Sequence, residues 1–255
     1  MQVSYSRTDL MAPAGIGAEI EGIHAVRAAI SAGRVTNVTI ESARESALAD
    51  LVGAARSSGA TVSFVPDVSD LAATSAPQGV VARCHPIAPV PLEVAVRRRP
   101  PAALVVLDHL EDPRNVGAVA RSAVAAGFSG IIMSTRRAAP LGATAFKAAV
   151  GAFEHLDFVL VSSIAAAIGE LQRLGVWSVG LDAGGDQSLF GLGLLTEPVA
   201  IVIGAEGAGL SRLVADRVDT VVSIPTEDGV ESLNASVAAA LALFEVRRIR
   251  ADHQP

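Results

Sequence analysis

Residues 103–134 read ALVVLDHLEDPRNVGAVARSAVAAGFSGIIMS, and three patterns follow one another within them. Ala103 to Leu107 is an unbroken apolar run of strand length, as expected of a strand covered on both faces. From Asn115 to Ala126 the apolar residues recur at helical spacing, and Gly127 is placed to stop the helix. Gly130 to Ser134 then returns to the strand pattern. Strand, helix and strand in this order form a βαβ unit, which predicts parallel strands joined by a crossover helix. The loop between Leu107 and the helix therefore lies at the carboxyl end of a parallel strand, where α/β proteins place their ligands.

The same alternation continues outward. Strands are expected at 177–181, 199–203 and 220–224, with helical stretches between them, giving an α/β domain with a mostly parallel sheet and helices on both faces. A last helix, 235–250, carries Val237, Leu241, Phe244 and Ile249 as an apolar stripe. Upstream, a helix over 23–32, a strand over 35–40, a helix over 43–55 and a strand over 61–65 predict a smaller α/β unit. Prolines 86, 89, 91, 100 and 101 resist regular structure and suit a connection between the two units. The expected organisation is a tail over 1–17, a first domain over 18–95, a linker over 96–102 and a second domain over 103–255.

With 255 residues, 51% of them hydrophobic and 18% charged, the chain can bury a sizeable core. Cys84 is the single cysteine, so neither an intramolecular disulfide nor a cysteine cage for zinc can form, and no metal is expected. No secretory leader pattern opens the sequence and no apolar run reaches the ~18 residues of a membrane span, so the expected compartment is the cytoplasm. The net charge of −6 gives no overall basic footprint for nucleic acid. Local positive surface remains at Arg97–Arg99, at Arg136 and Arg137, and at Arg247, Arg248 and Arg250.

Three short stretches carry the chemistry. In the first, Asp112-Pro113-Arg114-Asn115 opens the helix of the βαβ unit, with Asn115 expected at its N-cap. Arg121 follows six residues later, about 120° around the helix, so the two meet only if Asn115 acts from the helix mouth. The second, Ile203-Gly204-Ala205-Glu206-Gly207-Ala208-Gly209-Leu210-Ser211, packs three glycines into six residues and permits close approach of backbone to a ligand. Its order is neither the dinucleotide fingerprint nor the phosphate loop, which argues against a dehydrogenase or a nucleotide triphosphatase. The third runs from Ser223-Ile224-Pro225 to Val230-Glu231-Ser232-Leu233-Asn234-Ala235-Ser236, where a strand ends and the last helix begins; Ser232 or Asn234 would cap it. Taken singly, helix capping accounts for Asn115, Ser232 and Asn234 without any chemistry.

Together, in this order, the three stretches resemble the three motifs of the SpoU, or TrmH-like, branch of knotted RNA ribose 2'-O-methyltransferases. Glu21-Gly22-Ile23-His24-Ala25-Val26 and Gln78-Gly79-Val80-Val81-Ala82 further resemble the small N-terminal RNA substrate-binding domain of the bacterial members that act on 23S rRNA guanosine. The resemblance implies S-adenosylmethionine as cofactor, held at Gly204, Ile224 and Leu233. It implies Asn115, Arg121, Glu206, Ser232 and Asn234 as functional polar residues, a deep trefoil knot in the second domain, and a homodimer. The RNA is expected to be rRNA, with tRNA, or a non-catalytic assembly factor of the same fold, as alternatives. The three motifs lie after Pro101, so residues 101–255 alone are expected to keep the cofactor. Val150 and Pro77 stand where many relatives have Ser and His. A guanidinium is protonated near neutrality, so Arg121 fits a clamp on phosphate and developing charge better than a base. His24, His109 and His155 are the visible candidates for the proton acceptor.

Overall fold

The computed structural model describes residues 15–136, 138–227 and 232–253. The first lobe comprises β1 (Glu19–Glu21), α1 (Ile23–Ser31), β2 (Val35–Glu41), α2 (Ala49–Ser57), β3 (Thr61–Val65) and β4 (Val80–Cys84). Its sheet runs β1-β4-β2-β3, with only β2 and β3 parallel. In α1, Ala25, Val26, Ala29 and Ile30 form the buried stripe. The helix expected from residue 43 starts at Ala49 instead. Residues 42–47 have no buried side chain, and the stripe that anchors the helix begins at Leu48 and continues through Leu51, Val52 and Ala55.

The proline-rich connection contains a helix, α3 (Leu92–Arg97), which corrects the expected linker. Pro91 stands at its N-cap and the remaining prolines flank it, so none interrupts a turn. Leu92 and Ala95 are buried against Leu104, Ile132 and Val159, and the Val90 amide donates to the Phe158 carbonyl at 2.8 Å. This segment therefore packs as part of the second domain.

That domain continues with β5 (Ala103–Leu107), α4 (Pro113–Ala126), β6 (Gly130–Ser134), α5 (Ala143–Ala149), β7 (Asp157–Val161), α6 (Ile164–Arg173), β8 (Trp177–Leu181) and β9 (Gln187–Ser188). It ends with β10 (Val199–Ile203), α7 (Arg212–Ala215), β11 (Thr220–Ser223) and α8 (Ala235–Asp252). Seven strands form one sheet in the order β7-β6-β5-β10-β8-β11-β9, and every pairing is parallel. Alternate residues of β5 point to opposite faces. Val105 and Leu107 pack with Val116, Val119, Ala239 and Leu243 from α4 and α8, while Leu104 and Val106 pack with Ile168, Leu171 and Val214 from α6 and α7.

The first of these cores runs without a break into the N-terminal lobe, joining Phe146 and Phe153 to Ile16, Ile20, Val26, Leu51 and Val80. Ile16 is 1% exposed, and the Ile87 amide donates to its carbonyl at 2.9 Å. The expected tail thus ends short of residue 16; residues 1–14 lie outside the described part. The stripe on α8 also needs correction. Ile249 is buried with Ala239, Ala242 and Val246, whereas Val237, Leu241 and Phe244 face outward on the opposite side, 39–49% exposed. Among the described residues no helix is long and apolar enough to cross a membrane.

Candidate functional site

Helix α4 begins one turn earlier than expected, because Asp112 and not Asn115 is its N-cap. The Asp112 carboxylate accepts the Arg114 amide at 2.8 Å, and Pro113 fits the first helical position, where an N–H has no partner to lose. The Arg114 guanidinium also bonds Asp112 and holds its carboxyl below the usual range. Asn115, freed from capping, is buried inside the first turn and turns its amide toward the glycine loop.

The loop is shaped for that meeting. The Ala205 amide donates to the Gly209 carbonyl and the Gly209 amide to the Ala205 carbonyl, both at 3.0 Å, so residues 206–208 form a tight tip. At Gly204 a Cβ would fall 2.2 Å from the Gly209 carbonyl group, and Gly209 itself has φ +65°, so only glycine closes this turn. Glu206 stands on the tip. Its Oε1 accepts the Asn115 Nδ2 at 2.7 Å and the Asn234 Nδ2 at 2.7 Å, and the Asn234 amide also reaches Asn115 Oδ1 at 3.3 Å. Asn234 is at the same time the N-cap of α8, its Oδ1 accepting the Ser236 and Val237 amides. One carboxylate thus gathers the three motifs, with the bonds to an ionised acceptor the stronger kind.

Beside this cluster a cleft of about 340 Å³ opens at the carboxyl ends of β8, β10 and β11, within the usual size of small-molecule sites. Gly204, Glu206, Ile224, Ser232 and Leu233 line it, as do Asp182 and Thr226. Ser232 is exposed at the rim and caps no helix. Asp182 is a residue the sequence reading passed over. It follows β8, accepts the Gly184 amide at 2.9 Å and the Leu210 amide at 3.4 Å, and so fixes the far wall. Its position directly after a parallel strand was the available signal.

Arg121 lies on the exposed face of α4 and makes no hydrogen bond or ion pair among the described residues. It is separate from the Glu206 cluster and available to something outside the chain. Neither His24, His109 nor His155 lines the cleft. His109 has φ +59° and sets its Nδ1 2.8 Å from the buried Asp108 carboxylate, whose other oxygen accepts the Ser211 amide at 2.7 Å. Val150 ends α5 in the left-handed region, φ +51°, where a β-branched side chain is strained. Among the described residues no three His, Cys, Asp or Glu gather as metal ligands.

Residues 102–244 match the SpoU rRNA Methylase family, and residues 20–90 match the RNA 2'-O ribose methyltransferase substrate binding domain. The chain belongs to the SpoU family of RNA methyltransferases. A TrmH family tRNA/rRNA methyltransferase of Staphylococcus haemolyticus is 37% identical over 239 residues, 91% of this chain and 95% of that one. A tRNA/rRNA methyltransferase of Mycobacterium ulcerans is 39% identical over 208 residues, 80% and 67% of the two chains. Among solved structures, the SpoU methyltransferase AviRb of Streptomyces viridochromogenes, in complex with AdoMet, superposes with a TM-score of 0.78 over 92% of this chain and 90% of its own, at 26% identity. The three motifs that meet at Glu206 all fall within the SpoU match.

Proposed function

We propose that this protein transfers a methyl group from S-adenosylmethionine to the ribose 2'-hydroxyl of a nucleotide in structured RNA, with 23S rRNA as the substrate. The observation that carries this reading is the convergence of Asn115, Glu206 and Asn234 beside a glycine-walled cleft, with Arg121 exposed on the same helix as Asn115 and unpaired among the described residues.

The cleft suits the cofactor. Gly204 admits no side chain, so backbone polar groups there and at Ile224 and Leu233 can come close to it. Asp182 and Glu206 are the charged side chains on the described lining, and both are acidic, which favours a ligand bearing positive charge. When bound, S-adenosylmethionine supplies an electrophilic methyl on a sulfonium. The chain's own work is then alignment: Glu206 locks the helix mouths of α4 and α8 to the cleft rim, and Ser232 stands on that rim. Arg121 grips the phosphate beside the acceptor ribose with two parallel donors and stabilises charge developing on its oxygen. RNA reaches an acidic protein through such local arginines, not through its net charge.

Ribosomal RNA is favoured because the family matched by residues 102–244 is described as an rRNA methylase family; the relatives' names carry both tRNA and rRNA. Mapping ribose methylation in RNA from cells with and without the protein decides between them. One lost 23S position is expected; a lost tRNA position would move the substrate, and no lost position would refute the activity. Work in the cytoplasm and the deep knot belong to the same proposal, the knot being supported by the return of α8 from β11 to pack on α4.

The chain is also proposed to act as a homodimer, because Val237, Leu241 and Phe244 form an exposed apolar row along α8. Sedimentation is expected at twice 25.9 kDa. Leu241→Glu is expected to give monomers, and an active wild-type monomer at micromolar concentration would contradict the dimer.

A further inference from the structure

The two lobes meet along α5, and the contact is polar at two points. Glu21, the last residue of β1, is buried, and its carboxylate accepts the Ala73 amide at 2.9 Å, the Thr74 amide at 3.3 Å and the Thr74 hydroxyl. Lys147, in the last turn of α5, brings its ammonium to the same place. Its Nζ lies 3.6 Å from Glu21 Oε1, donates to Thr74 Oγ1 at 3.1 Å and donates to the Ala76 carbonyl. Gln78 closes the segment by accepting the Ile23 amide at 2.9 Å. Residues 73–78 of the substrate-binding lobe are thus held by their own lobe and by a lysine of the methylase domain.

On its other side α5 is pressed against α4. A Cβ on Gly117 would lie 2.5 Å from the Ala145 carbonyl oxygen and 2.8 Å from the Ala149 nitrogen. Backbones this close cannot shift independently, since a packed interior transmits displacement. Gly117 stands two residues after Asn115 and one turn before Arg121. A second tie, bidentate and half-buried, limits pivoting about the first: Arg34 bonds Glu154 at 2.7 and 2.5 Å and also donates to the Gly17 and His85 carbonyls.

We propose that Lys147 is a positioning residue for methyl transfer: it couples residues 73–78 of the substrate-binding lobe, through α5 and the Gly117 contact, to the helix bearing Asn115 and Arg121. RNA held by the substrate-binding lobe then meets Arg121 at a fixed distance. This inference rests on the activity proposed above.

Lys147→Met keeps the aliphatic stem and removes the ammonium. Cofactor affinity by calorimetry is expected to be unchanged and RNA affinity to move by about threefold or less. Single-turnover transfer at saturating RNA is expected to fall on the order of 10–10²-fold, the scale of a small misplacement at the reacting centre. Lys147→Arg, which presents donors to the same oxygens, is expected to restore most of the rate. A Lys147→Met protein that melts earlier but transfers methyl at the wild-type rate would make the tie merely structural and overturn the proposal.

The coupling can be read without activity. Cys84 is buried and its thiol pushed up to about 11 by that burial, so cysteines introduced by Ser75→Cys and Arg173→Cys can be spin-labelled selectively. Lys147→Met is expected to broaden the distance between them, in labelled chains diluted with unlabelled ones. An unchanged distribution would overturn the proposal whatever the activity. If the distance broadens but the wild-type protein transfers no methyl to RNA, it is the reading of the activity that fails, and the positioning role with it.

Discussion

Glu206 accepts two amides on a single oxygen, and those amides, on Asn115 and Asn234 at the starts of two helices, are 119 residues apart in the sequence. Glu206→Gln can still offer a carbonyl oxygen to both, so it is expected to fold normally and keep the cofactor while losing the charge-assisted part of each bond. Glu206→Ala leaves the buried Asn115 amide without its acceptor and is expected to cost about 1 kcal/mol in denaturant unfolding. Equal unfolding midpoints for the two variants would contradict that ordering. Arg121 is expected to behave differently, because it touches neither the cluster nor the cleft lining. Arg121→Ala should keep cofactor affinity by calorimetry and lose ~10²–10³ in single-turnover rate, and Arg121→Lys should recover little, an ammonium lacking the planar fork. Lost cofactor affinity in Arg121→Ala would move this residue into the cofactor site.

At the scale of elements, legibility followed local pattern. The strands Ala103–Leu107, Gly130–Ser134, Trp177–Leu181 and Val199–Ile203 could be read to the residue because each is a short, largely apolar run between polar or turn residues. The three-residue β1 and two-residue β9 carry no period to read, and α3 was hidden among prolines that flank it without entering it. All eight proposed site residues could be named from motifs. The convergence on Glu206, the true cap of α4 and the place of Asp182 could not, since each depends on contacts between distant segments. Gly117 was quoted within a motif, but only the α4–α5 contact explains why it carries no side chain. Gly117→Ala is expected to cost about 1–3 kcal/mol, as overpacking does, and to slow methyl transfer more than it weakens cofactor binding. Stability equal to wild type in urea unfolding would show that the two helices can part freely.

At the scale of the whole molecule, the two lobes share a core and two ion pairs, so they are less separable than the motif positions suggest. Motif order alone implies that residues 101–255 suffice for cofactor binding. The shared core changes that expectation: without the first lobe, Phe146 would lose its packing against the Gly17 backbone and Glu154 would be left without Arg34. Residues 101–255 alone are therefore expected to aggregate or to unfold without a cooperative transition, whereas the full chain, with its shared core, is expected to melt in one step. A soluble fragment with a sharp melt and full cofactor affinity would show instead that the domains are independent. Methyl is expected on a ribose hydroxyl and not on a base, and alkaline hydrolysis separates the two because a methylated 2'-oxygen cannot attack the adjacent phosphate. After incubation of the protein with unmodified ribosomal RNA and methyl-labelled S-adenosylmethionine, the label is expected in alkali-resistant dinucleotides; label released in mononucleotides would contradict the account.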